Sequence, residues 1–303
     1  MLGLRRIKRL PLSLTSGAWS HQTQTLAASA VSGPPLTPPP PSDSTASFGY
    51  EEVPEHEKSQ RVGAVFSNVS SSYDRMNDAM SLGLHRLWKD RLVTKLSPFP
   101  GMQHLDVAGG TGDVAFRIAS SLQSFSSGSS SSSSSSSETG SVTVCDINES
   151  MLQQGQARAS KGLPGAHLLR WAIGNAEDLP FPDATFDGYT IAFGIRNVTR
   201  IQQALDDAVR VLKPGGRFMC LEFSHVDVPL LKEAYDLYSF NVIPKLGKAI
   251  ANDEASYKYL VERIRRFPPR EEFSAMLKIA GLQRVDCEIL TGGVVALHSG
   301  FKL

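Results

Sequence analysis

The chain has 303 residues, of which 41% are hydrophobic and 20% charged, so it can bury a full core. This composition excludes an intrinsically disordered protein, a small disulfide-rich domain and a fibrous protein. Lys and Arg number 31 and Asp and Glu 30, a balance that disfavours a protein whose main task is to bind nucleic acid. The three cysteines are scattered, without the spacing of a zinc site, which indicates a reducing compartment and no bound metal.

Residues 1–47 are predicted to be a mitochondrial transit peptide followed by a proline-rich linker. Four basic residues lie among leucines near the start, and the first acidic residue is Asp43. The alternative is a tail with no targeting function, because composition defines targeting weakly. Six prolines between Gly33 and Pro41 exclude the interior of a helix or strand. We expect the folded sequence to begin near Tyr50, within one domain at 48–303.

After this leader, short apolar runs alternate with segments whose apolar residues recur at helical spacing. Helices are predicted at 58–69, 84–96, 113–122, 151–160, 201–211 and 270–280, and strands at 103–107, 142–145, 167–171, 186–193, 217–223, 283–290 and 294–301. This alternation predicts an α/β fold with a doubly wound, mostly parallel sheet, whose ligand crevice lies at the carboxyl ends of the strands.

Two segments interrupt the alternation. Residues 124–140 contain nine consecutive serines and are predicted to be a disordered surface insertion. Residues 225–267 are rich in aromatic residues at helical spacing, and we expect a helical insertion over the crevice. No apolar run in the chain reaches the roughly 18 residues that a spanning helix needs. Any contact with a membrane is therefore expected to be peripheral.

A glycine loop, Leu105–Asp113, follows the first central strand and opens the next helix. Such a loop lets the backbone approach a nucleotide ligand closely. Its glycine spacing also fits the dinucleotide fingerprint, so a nicotinamide cofactor is an alternative. However, Asp106 and Asp113 flank the loop and would repel a pyrophosphate, whereas the ammonium and sulfonium groups of S-adenosylmethionine suit neighbouring carboxylates.

Polar residues follow the next two strands as well. Asp146 ends the second central strand, where an acid hydrogen-bonds ribose hydroxyls. The alternative for Asp146 is an ordinary acid in the turn before the following helix. Asn175 offers a carbonyl and an amide to an adenine edge, although an Asn in a loop is more often a turn residue.

Four strings resemble those of one methyltransferase family. They are Phe66–Val69 with Tyr73–Asn77, then Phe193–Val198, Tyr235–Phe240 and Gly293–His298. They are similar to the ubiquinone/menaquinone C-methyltransferase family over roughly residues 60–303. The resemblance implies a class I, Rossmann-like methyltransferase domain with N-terminal helices. It also implies S-adenosyl-L-methionine as cofactor, contacted by Gly109, Thr111, Asp146, Asn175 and Ala176.

The resemblance further implies C-methylation of a polyprenylated methoxy-benzoquinol ring in ubiquinone (coenzyme Q) biosynthesis. With the leader, it indicates a mitochondrial protein that is peripheral on the matrix side of the inner membrane. Other ubiquinone-biosynthesis proteins are implied partners, in a multi-subunit complex. Two alternatives stay open: a cofactor-binding assembly subunit with little turnover, and a nicotinamide-dependent oxidoreductase.

Methylation of a ring carbon needs a hydroxyl that is deprotonated, or nearly so. Arg196 follows the fourth central strand, where a guanidinium can stabilise the developing phenolate. The alternative for Arg196 is a salt bridge to Asp187 or Glu222.

Three other residues are candidate bases. Tyr73 and Asp74 belong to the leading motif, and His225 follows the fifth central strand with a suitable ordinary pKa. The aromatic residues of 225–267 are predicted to bind the polyprenyl substrate, and packing between helices is the alternative for them.

Overall fold

The structure is a computed structural model that describes residues 45–69, 73–127 and 140–303. Its elements in chain order are β1 (Thr45–Phe48), β2 (Glu51–Pro54), α1 (Glu55–Val69), α2 (Tyr73–Ser81), α3 (Leu84–Leu96), β3 (Gln103–Val107), α4 (Asp113–Ser127), β4 (Ser141–Asp146), α5 (Glu149–Ala159), β5 (Leu169–Ile173), β6 (Phe186–Ala192), α6 (Ile201–Val211), β7 (Leu212–Phe223), α7 (Pro229–Asn241), α8 (Ile243–Ala251), α9 (Glu254–Arg266), α10 (Arg270–Ile279), β8 (Gln283–Leu290) and β9 (Val295–Phe301).

A seven-stranded sheet carries the fold, in the order β5-β4-β3-β6-β7-β9-β8. β9 runs antiparallel to both of its neighbours, and the pairs from β5 to β7 are parallel. The chain moves outward from β3 through β4 to β5 and then returns to β6, which lies beside β3. This reversal opens a crevice at the carboxyl ends of β3 and β6. The doubly wound, mostly parallel sheet predicted from the alternation is confirmed.

Helices cover both faces of the sheet. α6 and α10 contribute to the hydrophobic cluster on one face, and α3 and α4 to the cluster on the other. α6 shows why such a helix forms, since Ala204, Leu205 and Ala208 recur at helical spacing and are all buried. Because the sheet is covered on both sides, the strand ends are where a ligand can reach the backbone.

The folded sequence begins earlier than predicted, with the hairpin of β1 and β2. Phe48 stacks on Tyr259 of α9 with ring centroids 4.3 Å apart, and the Tyr50 amide donates to Glu262 Oε2 at 3.0 Å. The hairpin is too short to show an alternating pattern, and α9, about 200 residues away in sequence, stabilises it. Residues 45–47 of the predicted leader therefore belong to the fold, and residues 1–44 lie outside the described residues.

Other element boundaries differ by a few residues. β5 begins two residues later than predicted, because Ala166–Leu168 form a short 3-10 turn after Gly165. α4 continues through Ser127, so the first residues of the predicted insertion are helical, and residues 128–139 lie outside the described part. The predicted helical segment 225–267 contains α7, α8 and α9. In the described ranges, no helix combines the length and the apolar character needed to cross a bilayer.

Candidate active site

The glycine loop between β3 and α4 forms the floor of the crevice. A Cβ on Gly109 would lie 2.6 Å from Val144 Cγ1 and 3.0 Å from the Asp106 carbonyl oxygen, so no larger residue fits without a shift of the strands. Gly110 and Gly112 have φ angles of +55° and +82°, which glycine adopts without strain. The loop thus brings bare backbone to the edge of a cavity of about 1210 Å³, part of which is open to solvent. We call this cavity the crevice.

Asp146, at the end of β4, is held across the glycine loop. Its Oδ2 accepts the Gly110 amide proton and its Oδ1 that of Asn148, both at 2.8 Å. Burial raises the pKa of Asp146, while the backbone hydrogen bonds oppose the rise. The carboxylate lines the crevice and also holds the turn before α5, so both interpretations of this residue describe part of its role.

Asp106, at the end of β3, is a buried carboxylate with one oxygen unpartnered. Its Oδ1 accepts the Thr190 hydroxyl proton at 2.6 Å, whereas its Oδ2 has no hydrogen-bond partner among the described residues. Burial raises the pKa of Asp106 to about 7, and the bond from Thr190 opposes this rise. A buried acceptor without a donor is costly, so a donor or cation at this position would stabilise the protein.

Asp113 does not present a free carboxylate to the crevice, contrary to the electrostatic argument from the sequence. Its Oδ2 lies 2.7 Å from Lys89 Nζ, and its Oδ1 lies 3.6 Å from Arg117 Nε. Lys89 belongs to α3, and the packing of α3 on α4 was not visible in the sequence. Asp106 is therefore the carboxylate beside the glycine loop that keeps an unpartnered oxygen.

Thr111, in the glycine loop, is buried and lines the crevice. Its Oγ1 accepts a hydrogen bond from Arg158 Nη1 of α5 at 3.0 Å. Arg158 in turn lies over the Phe116 ring, 5.3 Å from its centroid. The hydroxyl is thus fixed in place from outside the crevice.

Asn175 and Ala176, after β5, line the crevice on the side of Asp146. Asn175 Oδ1 accepts the Glu177 amide proton at 3.1 Å, so this Asn also stabilises its own turn. Glu177 is a residue whose role the sequence did not indicate. Its buried carboxylate accepts from the amides of Thr199 and Arg200 at 3.0 and 3.2 Å, and so joins the loop after β5 to the loop after β6.

A second cavity, of about 970 Å³, adjoins the crevice, and we call it the chamber. Its aromatic lining comprises Trp88, Phe193, Phe223, Tyr235, Tyr257 and Tyr259. Lys89, Phe193 and Asn197 line both cavities and so mark the boundary between them. Phe193, directly after β6, has a φ of +56°, a conformation that is unfavourable for a bulky residue and is often found at functional sites.

Arg196 is buried in the wall of the chamber. Its Nη1 donates to Glu222 Oε1 at 2.7 Å, and the guanidinium lies over the Phe223 ring at 5.5 Å from the centroid. The pairing with Glu222 considered from the sequence is thus present, whereas Asp187 pairs with Lys213 at 2.8 Å. The ion pair fixes the guanidinium in the wall, beside any ring bound there.

Of the three candidate bases, the structure describes the side chain of His225 and not those of Tyr73 and Asp74. Tyr73 and Asp74 begin α2, but their side chains lie outside the described part of the structure. His225 is not brought into the site, because it lines neither cavity, and its Nε2 lies 3.3 Å from the Arg265 carbonyl oxygen. His85 of α3, which the sequence did not single out, is buried in the chamber wall.

Comparison with known proteins agrees with this geometry. The model of the ubiE/COQ5 methyltransferase family matches residues 55–302. The mitochondrial 2-methoxy-6-polyprenyl-1,4-benzoquinol methylase of Oryza sativa subsp. japonica is 58% identical over 277 residues, which cover 88% of this chain and 94% of that protein. The protein of the same name from Arabidopsis thaliana is 60% identical over 259 residues, covering 85% and 90%.

One solved structure supports the fold. A SAM-dependent methyltransferase from Thermotoga maritima, described as a possible histamine N-methyltransferase, matches with a TM-score of 0.51 and 19% identity. The match covers 79% of this chain and 99% of that one. The predicted class I, Rossmann-like fold and the predicted family are both confirmed.

Proposed function

Because the chain belongs to the ubiE/COQ5 methyltransferase family, we propose that it transfers a methyl group from S-adenosylmethionine to a ring carbon of a polyprenylated methoxy-benzoquinol in ubiquinone biosynthesis. The observation that carries the proposal is the meeting of two cavities of different chemistry. A polar crevice at the strand ends adjoins an aromatic chamber at Phe193 and Asn197. The names of the relatives and the composition of residues 1–47 support a mitochondrial location.

The crevice fits S-adenosylmethionine at its methionine end. Bound there, this cofactor supplies a methyl group on a positively charged sulfur. The unpartnered Asp106 Oδ2 would accept from its ammonium group, and the backbone at Gly109 leaves room for close approach. Thr111 would contribute its hydroxyl at the same end.

The other end of the crevice fits the nucleoside. Asp146 still has lone pairs to accept ribose hydroxyls, besides those that accept the Gly110 and Asn148 amides. Asn175 and Ala176 would contact the adenine, the first with its amide and the second with an apolar surface. Asp106 and the five residues Gly109, Thr111, Asp146, Asn175 and Ala176 are therefore our proposed cofactor contacts.

The chamber would hold the quinol ring. Aromatic walls suit a flat ring with an apolar tail, and alignment of two reactants can lower a barrier by about 7–11 kcal/mol. Arg196 would stabilise the negative charge that develops on the ring oxygen. Tyr73 and Asp74 remain proposed catalytic residues at the start of α2.

The outer surface of α7 supports peripheral binding to the inner membrane on its matrix side. Leu230 and Leu237 are 82% and 66% exposed, so the outer surface of α7 presents large apolar side chains to solvent. The exposed Lys232, and Lys245 on α8, suit anionic lipid headgroups. We propose that the chain binds there among other ubiquinone-biosynthesis proteins.

Calorimetry and a transfer assay test this function. Calorimetry should show binding of S-adenosylmethionine and none of NAD, because the crevice presents the unpartnered Oδ2 of Asp106 beside the glycine loop, which would repel a pyrophosphate. The full chain should then methylate a short-chain benzoquinol, and Asp146→Ala should weaken cofactor binding and turnover together. NAD binding without S-adenosylmethionine binding would contradict the proposal. Cofactor binding without turnover would favour the assembly subunit.

A further inference from the structure

His85 lies in the wall of the chamber, close to the boundary with the crevice. It is 8% exposed and sits one helical turn before Lys89, which lines both cavities. The turn between α2 and α3 has positive φ angles at Leu82 and Gly83, and it folds Ser81 back onto His85. A titratable side chain is thereby placed where the ring would bind.

The hydrogen bonds of Ser81 decide which nitrogen of His85 carries the proton. The Ser81 hydroxyl donates its only proton to the Asn77 carbonyl oxygen at 2.6 Å. Its contact with His85 Nδ1 at 2.9 Å therefore requires a proton on Nδ1. In the neutral imidazole, Nε2 then has a free lone pair, which is what a base needs.

The charged groups around His85 keep it neutral before reaction and support its charge afterwards. Burial, and then the positive charge of Lys89, lower the pKa of His85 below its ordinary value of 6.5. The carboxylates of Asp78 and Asp113 oppose this effect, and Arg86 adds to it. Asp78 Oδ1, which also accepts from Arg86 Nε at 2.8 Å, lies 3.7 Å from Nε2, so an imidazolium formed by proton uptake would share this carboxylate with Arg86.

We propose that His85 is the general base that removes the proton from a quinol hydroxyl while the neighbouring ring carbon attacks the methyl group. This inference rests on the proposed function. The hydroxyl proton moves to Nε2, and the electron pair it leaves pushes through the ring into the new carbon–carbon bond. The carbon–sulfur bond breaks, and its electron pair stays on sulfur. The ring carbon then loses its hydrogen as a proton to solvent and His85 returns its proton to the oxygen, so one proton is released overall.

Substitution of His85 in the full chain tests this role. His85→Gln should lower kcat by about 10²–10⁴-fold, as loss of a general base does, with S-adenosylmethionine affinity unchanged. In the wild type, kcat/KM should fall with decreasing pH below 6.5, where His85 becomes protonated. That acidic limb should be missing in His85→Gln. The matched control is His56→Gln, at an exposed histidine of α1, which should keep both the rate and the limb.

A second variant keeps the test decisive if His85→Gln folds poorly. Asp78→Asn removes the counter-ion of the imidazolium, so kcat should fall and the acidic limb should move to lower pH. If the wild type is active and His85→Gln is equally active, the inference is wrong and the proposed function stands. The same holds if the acidic limb is unchanged in both variants. A wild type that binds S-adenosylmethionine but methylates no benzoquinol overturns the proposed function and the inference together.

Discussion

The crevice and the chamber adjoin each other but are built in opposite ways. The floor of the crevice is backbone of the glycine loop at the ends of parallel strands, where a Cβ on Gly109 would collide with Val144. The chamber is lined by side chains that are far apart in sequence, on helices from α1 to α9 and at the ends of β6 and β7. A binding site made of backbone requires a short, fixed sequence motif. The shape of a site made of side chains depends instead on how distant elements pack together. The two regions should therefore respond differently to substitution.

Apart from substitution of His85, the largest effect is expected in the chamber, from Arg196→Lys. Lysine keeps the charge next to Glu222 but loses the planar guanidinium that holds a ring oxygen. We expect kcat and kcat/KM to fall together by about a hundred- to thousandfold, equivalent to ~2.7–4 kcal/mol, with cofactor affinity unchanged. Kinetics and calorimetry on one preparation check this. A variant with a lower melting temperature but full turnover would show that Arg196 is only structural.

Gly109→Ala is the corresponding test of the crevice. The new Cβ would lie 2.6 Å from Val144 Cγ1, so the loop or β4 must shift. Overpacking of this kind costs ~1–3 kcal/mol, and we expect S-adenosylmethionine affinity by calorimetry to fall about ten- to a hundredfold. Gly63→Ala is the control, since Gly63 lines the same crevice with nothing within 4 Å of its added Cβ. Equal affinities of the two variants would contradict the backbone origin of the crevice.

A smaller effect is expected outside both cavities, on α7. Leu230→Ser combined with Leu237→Ser should weaken binding to cardiolipin-containing vesicles about tenfold, because each exposed leucine can bury apolar area in a bilayer. Turnover of a water-soluble benzoquinol should not change. Ile279→Ser on α10 removes another exposed apolar side chain and should leave vesicle binding intact. Loss of binding in all variants alike would rule out α7 as the contact surface.

The last expected effect is on stability and not on turnover or binding: a dependence of stability on pH at Asp106. The pKa of this carboxyl is raised to about 7 in the fold, so its contribution to stability is complete below about pH 4 and is lost as pH rises toward 7. As the pH rises from about 4 toward 7, the melting temperature of ligand-free Asp106→Asn should therefore rise relative to that of the wild type. Added S-adenosylmethionine should stabilise the wild type more at pH 8 than at pH 5. A difference that does not vary with pH would contradict this assignment.

Whether a region could be predicted from the sequence depends on whether its residues lie close together in the chain. The glycine loop and Asp146 were predictable because a strand, a tight turn and a helix impose their residues within one short segment. The pairing of Asp113 with Lys89 was not, since it depends on how α3 crosses α4. His85 carried no local signal for the same reason, because a histidine in a helix acquires its role from the residues that pack around it. The hairpin β1–β2 was missed because its stability comes from α9.

The direction of helix α4 places the connection between α4 and β4 far from the crevice. It begins at Asp113 beside the crevice and, with 15 residues, extends about 22 Å to Ser127 at the opposite edge of the sheet. The described chain resumes at Gly140 on that same edge, where β4 starts. Neither point lines the crevice or the chamber, so we expect residues gained or lost between them to leave both cavities unchanged. We therefore expect a fluorescent label or an affinity tag inserted between these points to leave turnover unchanged.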